Sequence, residues 1–232
     1  MKKYLSVLII LGINAATFAA NSTVTGKVNF GGKAPKSEKI KMTADAQCEK
    51  QNAGKSVIKE DIVVNSNKTL ANVFVYVKEG VNKAAVAAAP AYAVVFDQRG
   101  CNYNPHVFGI RAGQKLKILN SDPTMHNVHS MAKSNPNFNQ GMVTQGSSIE
   151  KAFTKPEVMV KIKCDVHGWM TAYAGVMDHP YFAVTGNDGS FTLKDLPAGT
   201  YTVEAWHEKL GVKTAKVTTT DAGGTQTTDF AF

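Results

Sequence analysis

Apolar and polar residues alternate with a period of two over short stretches of this chain, and helical periodicity is almost absent. Runs rich in Val, Ile, Thr and aromatic residues are bounded by clusters of Gly, Asn, Asp and Pro, as in strands joined by tight turns. The pattern predicts strands at Thr23–Phe30, Ile62–Val64, Asn72–Val77, Ala93–Phe96, His106–Arg111, Lys115–Leu119, His126–Ser130 and Ser148–Phe153. It continues with Val158–Lys163, Ala172–Met177, Phe182–Thr185, Ser190–Lys194, Gly199–Glu204, Val212–Val217 and Thr225–Phe232. The expected fold class is all-β. The Ala-rich piece Asn82–Ala89 reads as a helical turn or a linker ended by Pro90. Residues 31–61, rich in Lys, Ser and Gln, carry little pattern beyond Cys48.

The first residues follow a different rule. Lys2-Lys3, the apolar run Tyr4 to Ile13 and the small residues up to Ala20 describe a secretory signal peptide, residues 1–20, cleaved near Ala19 or Ala20. That run is too short to span a bilayer as a helix, and no later segment is apolar enough to do so. A periplasmic or secreted protein is expected. Removing Lys2 and Lys3 lowers the net charge from +8 to +6. The remaining lysines are dispersed among acids, which excludes a nucleic-acid footprint but suits encounter with an acidic redox partner.

Two short motifs carry the chemistry. Cys164-Asp165-Val166-His167-Gly168-Trp169-Met170 places a thiol, an imidazole and a thioether within seven residues. Upstream lies Met125-His126-Asn127-Val128-His129. One cysteine sulfur, two imidazoles and a weak methionine sulfur form the ligand set of a blue-copper electron-transfer site. Three cysteines leave one over after any single disulfide. If Cys48 pairs with Cys101, Cys164 is free to bind metal; if Cys101 pairs with Cys164, the site is lost. No nucleophile elbow, phosphate loop, zinc-protease helix or paired-carboxylate motif is present.

Residues 103–177 resemble a cupredoxin, most closely its amicyanin branch. The resemblance rests on Tyr103-x-Pro105, Gly113-Gln114-x-Leu116, Asn120-x-Asp122, His126-Asn127-Val128-His129 and Cys164-x2-His167-x2-Met170. It implies one type 1 copper held by His126, Cys164, His167 and Met170. His167 would lie near the surface as the electron port, beside an apolar rim that includes Trp169. Asn127 would tie the two ligand loops together. His129 points to the opposite face of its strand from His126 and is expected to support the site from outside. His106, directly after Pro105, departs from the family pattern and is read as a further supporting residue or part of an altered site.

The segment Asp188-Gly189-x-Phe191-x-Leu193 … Leu196-Pro197-x-Gly199-x-Tyr201-x-Val203 resembles the carboxypeptidase regulatory-like (transthyretin-like) β-sandwich, whose fold is shared by the rhamnogalacturonan-lyase middle domain and other carbohydrate-binding-like sandwiches. Gly26-Lys27-Val28 and Val73-Phe74-Val75-Tyr76-Val77 look like the opening strands of such a sandwich. A split domain is therefore expected, residues 22–90 completed by 180–232, with a cupredoxin domain at 91–179 inserted; three consecutive modules is the simpler alternative.

The function expected is single-electron transfer through one copper, with a c-type cytochrome or an oxidoreductase as partner and no enzymatic turnover. Two other readings stay open. In one, Cys101 is bonded to Cys164 and the chain is a non-redox envelope module, with carbohydrate as a candidate ligand. In the other, the chain delivers or stores copper.

Overall fold

The computed structural model describes residues 20–232; the predicted signal peptide lies outside the described residues apart from Ala20. The first elements among the described residues are β1 (Ala20–Asn29), the short helix α1 (Ala46–Gln51) and β2 (Phe74–Glu79). Nine strands follow: β3 (Val94–Gln98), β4 (Tyr103–Asn104), β5 (Val107–Arg111), β6 (Lys115–Asn120), β7 (His126–Ser130), β8 (Asn139–Met142), β9 (Ser148–Ala152), β10 (Glu157–Lys163) and β11 (Thr171–Met177). The last six are β12 (Phe182–Val184), β13 (Ser190–Leu196), β14 (Gly199–His207), β15 (Gly211–Thr219), β16 (Ala222–Thr227) and β17 (Phe230–Ala231). Among the described residues the fold is all-β apart from α1 and a 3-10 turn at Lys83–Ala85 within the Ala-rich piece.

The strands form two sandwiches. In the first, a sheet ordered β5-β11-β10-β7-β8 faces one ordered β4-β3-β6-β9. Their shared core holds Phe96, Tyr103, Ile110, Leu116, Ile118, Phe153 and Ile162. Each such side chain contributes roughly 1.5–3 kcal/mol by leaving water. In the second sandwich β1 pairs with β13, β16 and β17, opposite a sheet ordered β12-β2-β14-β15. Val24, Val75, Phe191, Leu193 and Val203 fill that core. Strands from both ends of the chain thus build one sandwich, and the other is inserted between β2 and β12.

The two sandwiches pack sheet to sheet through Phe74, Tyr76, Val107 and Met177. Two glycines permit this approach. A Cβ on Gly175 would lie 2.3 Å from the Phe74 ring, and one on Gly109 would lie 2.3 Å from the Phe182 ring. Trp206 of β14 meets Tyr173 of β11 with ring centroids 5.1 Å apart.

Several boundaries differ from expectation. β8 is not foreseen, because Asn139-Gln140-Gly141-Met142 has no apolar alternation. Ile62–Val64 makes only a single bridge, Val64 to Leu70. The largest difference concerns residues 31–61. That stretch leaves the second sandwich and folds over one end of the first, where α1 is tied down by the disulfide Cys48–Cys101. Met42, Cys48 and Cys101 form a small apolar cluster there with Ile40, Val57 and Trp169. A segment without strand periodicity is thus ordered by one covalent link and a few side chains. Among the described residues no helix is long and apolar enough to cross a membrane.

Candidate metal centre

Strand register brings the two ligand motifs together. β10 runs antiparallel to β7 with Lys163 opposite His129. Cys164 and Asp165 therefore leave the sheet alongside Val128 and Asn127, one step from His126. The loop is closed by two backbone bonds: Cys164 N–H donates to the Met170 carbonyl (3.1 Å), and Met170 N–H donates to the His167 carbonyl (2.9 Å). Such a closed loop has few backbone conformations, which limits how far its side chains can move.

His126, Cys164 and His167 converge, with their candidate ligand atoms all within 4.8 Å of one another. His126 Nδ1 is 2.9 Å from His167 Nδ1. Cys164 Sγ is 3.9 Å from His167 Nδ1. Ligands bound at about 2.0–2.3 Å to one ion stand roughly 3–4 Å apart, so these spacings suit a shared metal. All three side chains are buried, as is Met170, which shares the core with Cys164.

The opposite edge of each imidazole faces a carboxylate. His126 Nε2 is 2.9 Å from Asp122 Oδ2, and His167 Nε2 is 3.0 Å from Asp45 Oδ2. Each ring can donate N–H to its aspartate, which turns its Nδ1 edge toward the cluster. Asp122 is itself fully buried and accepts from Gly100 N–H (2.7 Å), Cys101 N–H (2.7 Å) and Gln51 Nε2 (2.9 Å).

The electrostatics favour the charged forms. Burial disfavours the His126 cation, yet hydrogen bonds with Asp122 and Cys164 outweigh it and raise that imidazole to about 9. Burial would push the Cys164 thiol up. Hydrogen bonds from His126 and from backbone amides, Asn127 and His167 among them, outweigh that and hold it below the ordinary thiol value. Burial would likewise raise Asp122, but its bonds to His126 and to the Cys101 and Gly100 amides prevail and hold it below the usual carboxylate value.

Asn127 joins the two motifs. Its Oδ1 accepts from Asp165 N–H (2.7 Å) and from the Cys164 thiol (3.2 Å), and Tyr103 O–H donates to its carbonyl (2.5 Å). His129 turns away from the cluster, and its Nδ1 meets Asp165 Oδ2 at 2.9 Å, bracing the residue after Cys164.

Two expectations are corrected. His167 is not at the surface: only 2% of its side chain is exposed, because Asp45 and α1 cover it. Cys48 Sγ lies 3.7 Å from its Nε2 and the Trp169 ring lies 5.0 Å away, centroid to centroid. His106 does not support the cluster. Its Nδ1 bonds the Thr171 carbonyl (2.9 Å) and its Nε2 bonds Glu208 Oε1 (2.5 Å), so it joins the first sandwich to the second. The Cys101–Cys164 pairing is absent; Cys101 is bonded to Cys48 and Cys164 is free.

Asp45 and Asp122 stand behind the two imidazoles, and sequence pattern alone does not place them there. Asp122 stands out only as part of the Asn120-x-Asp122 turn. Asp45 does carry a signal, an acid directly before a short helix, and it caps α1 by accepting from the Gln47 and Cys48 amides (both 2.9 Å). Nothing local to Asp45 announces His167, 122 positions away; only the folded path brings them together.

Comparison with known proteins gives partial matches. Residues 152–228 match the family model for polysaccharide lyase family 4, domain II, a stretch that runs from the first sandwich into the second. No curated protein matches in sequence. Among solved structures, a copper-containing nitrite reductase from Thermus scotoductus SA-01 is 19% identical over 40% of this chain, with a TM-score of 0.35. The chain spans only 24% of that reductase. A purple cupredoxin from Nitrosopumilus maritimus is 20% identical over 36% of this chain and 98% of its own, with a TM-score of 0.31. A reduced mutant of amicyanin is 20% identical over 44% of this chain and 98% of its own, with a TM-score of 0.33. None of these matches supplies a ligand or an activity to this chain.

Proposed function

We propose that this chain is an exported copper protein that exchanges single electrons at a centre held by His126, Cys164 and His167, with Met170 as a weak fourth donor. The observation that carries the reading is the convergence of two Nδ1 atoms and one buried free thiol, each imidazole being held from behind by an aspartate. Copper, when bound, supplies a one-electron couple that this mixed nitrogen and sulfur set suits in both states. The chain's own part is to keep the donors in place: the closed Cys164–Met170 loop limits their movement, Asn127 links the loop to β7, and burial excludes water. A donor set complete in protein side chains leaves no place for a substrate, so no turnover is proposed. The disulfide supports an oxidising compartment and hence export. A c-type cytochrome or an oxidoreductase is the proposed partner.

The test is to purify the protein with Cys164 as a free thiol, add Cu(II), and record the visible spectrum with the metal content. A strong thiolate-to-copper band at one copper per chain, lost in Cys164→Ser, is expected. Copper-loaded protein with Cys164 unoxidised and no such band overturns the reading.

A further inference from the structure

The segment that covers His167 also supplies its partner. Asp45 uses one carboxylate oxygen for the α1 amides of Gln47 and Cys48, both at 2.9 Å. The other oxygen accepts from Thr124 Oγ1 (3.2 Å) and meets His167 Nε2 (3.0 Å). One side chain therefore shapes the start of the helix and fixes the ring. The disulfide anchors this arrangement, and Trp169 Nε1 donates to the Cys101 carbonyl at 2.9 Å, tying the ligand loop to the same anchor.

We infer that Asp45 is a positioning residue of the metal centre, holding His167 with Nδ1 turned toward Cys164 and His126 and lowering the centre's reduction potential through its negative charge. The inference rests on the copper reading above. A carboxylate on the outer nitrogen makes an imidazole more basic and a stronger donor to a metal. A fixed negative charge close to the centre favours the more positive oxidation state, Cu(II), over Cu(I). Asp122 acts on His126 in the same sense, but it also holds the Gly100–Cys101 turn, so its replacement would confound charge with folding. Asp45 allows a cleaner separation. Asn caps a helix as well as Asp does, so Asp45→Asn keeps the α1 cap while removing the charge facing His167.

The experiment measures the reduction potential of copper-loaded wild type, Asp45→Asn and Asp45→Ser by voltammetry, with Asp188→Asn as a distant control. Ser also caps a helix but is too short to span to His167. Both Asp45 variants are expected to keep the thiolate-to-copper band and show a raised potential, while Asp188→Asn matches wild type. A band in all four proteins with equal potentials overturns the inference and leaves the copper reading standing. Absence of the band in wild type overturns both.

Discussion

Replacing both Cys48 and Cys101 with Ala removes the covalent tie that holds α1 over the metal centre. The two residues are 53 positions apart, and the loop-closure relation for that separation gives about 4 kcal/mol of stability from the restricted unfolded chain. With a urea dependence of about 2 kcal/mol/M, the unfolding midpoint should fall by about 2 M. The assay is equilibrium urea unfolding of metal-free protein, so that metal binding does not mask the change. A second readout is carbethoxylation of His167, which should become faster as α1 lifts from a ring that is now only 2% exposed. A midpoint within about 0.5 M of wild type, together with unchanged His167 reactivity, would refute the view that the disulfide orders this segment.

Two further outcomes are expected. Gly175→Ala puts a Cβ 2.3 Å from the Phe74 ring, and overpacking of this kind costs about 1–3 kcal/mol; thermal unfolding should shift down by roughly 2–12 °C, and Phe74→Leu in the same background should restore part of it. Burial disfavours the His106 cation, yet its bond to Glu208 outweighs that and raises the imidazole above its ordinary value. Its stabilising effect is therefore fully present below about pH 6.5 and is lost as pH rises through the raised folded value. Unfolding midpoints measured from about pH 6 upward should fall more steeply in wild type than in His106→Gln; parallel curves would contradict this.

The all-β class and the closeness of Cys164 to His167 were legible because each depends on neighbours in sequence. Strand alternation is local, and a short loop brings its own cysteine and histidine together. His126 was legible as part of a short motif, although its approach to Cys164 depends on the pairing of Lys163 with His129. β8 escaped because its pairing with β7 is decided by the partner strand and not by its own polar sequence.

By itself the sequence determined alternating strands, a parity of three cysteines and two motifs rich in metal donors. The tertiary structure alone decided which cysteines bond, that residues 31–61 cover His167, and that Asp45 and Asp122 stand behind the two imidazoles. The physical reason is range. Side-chain alternation is written residue by residue, whereas a contact across 122 positions exists only once the sheets have packed and the chain between them has been given its path.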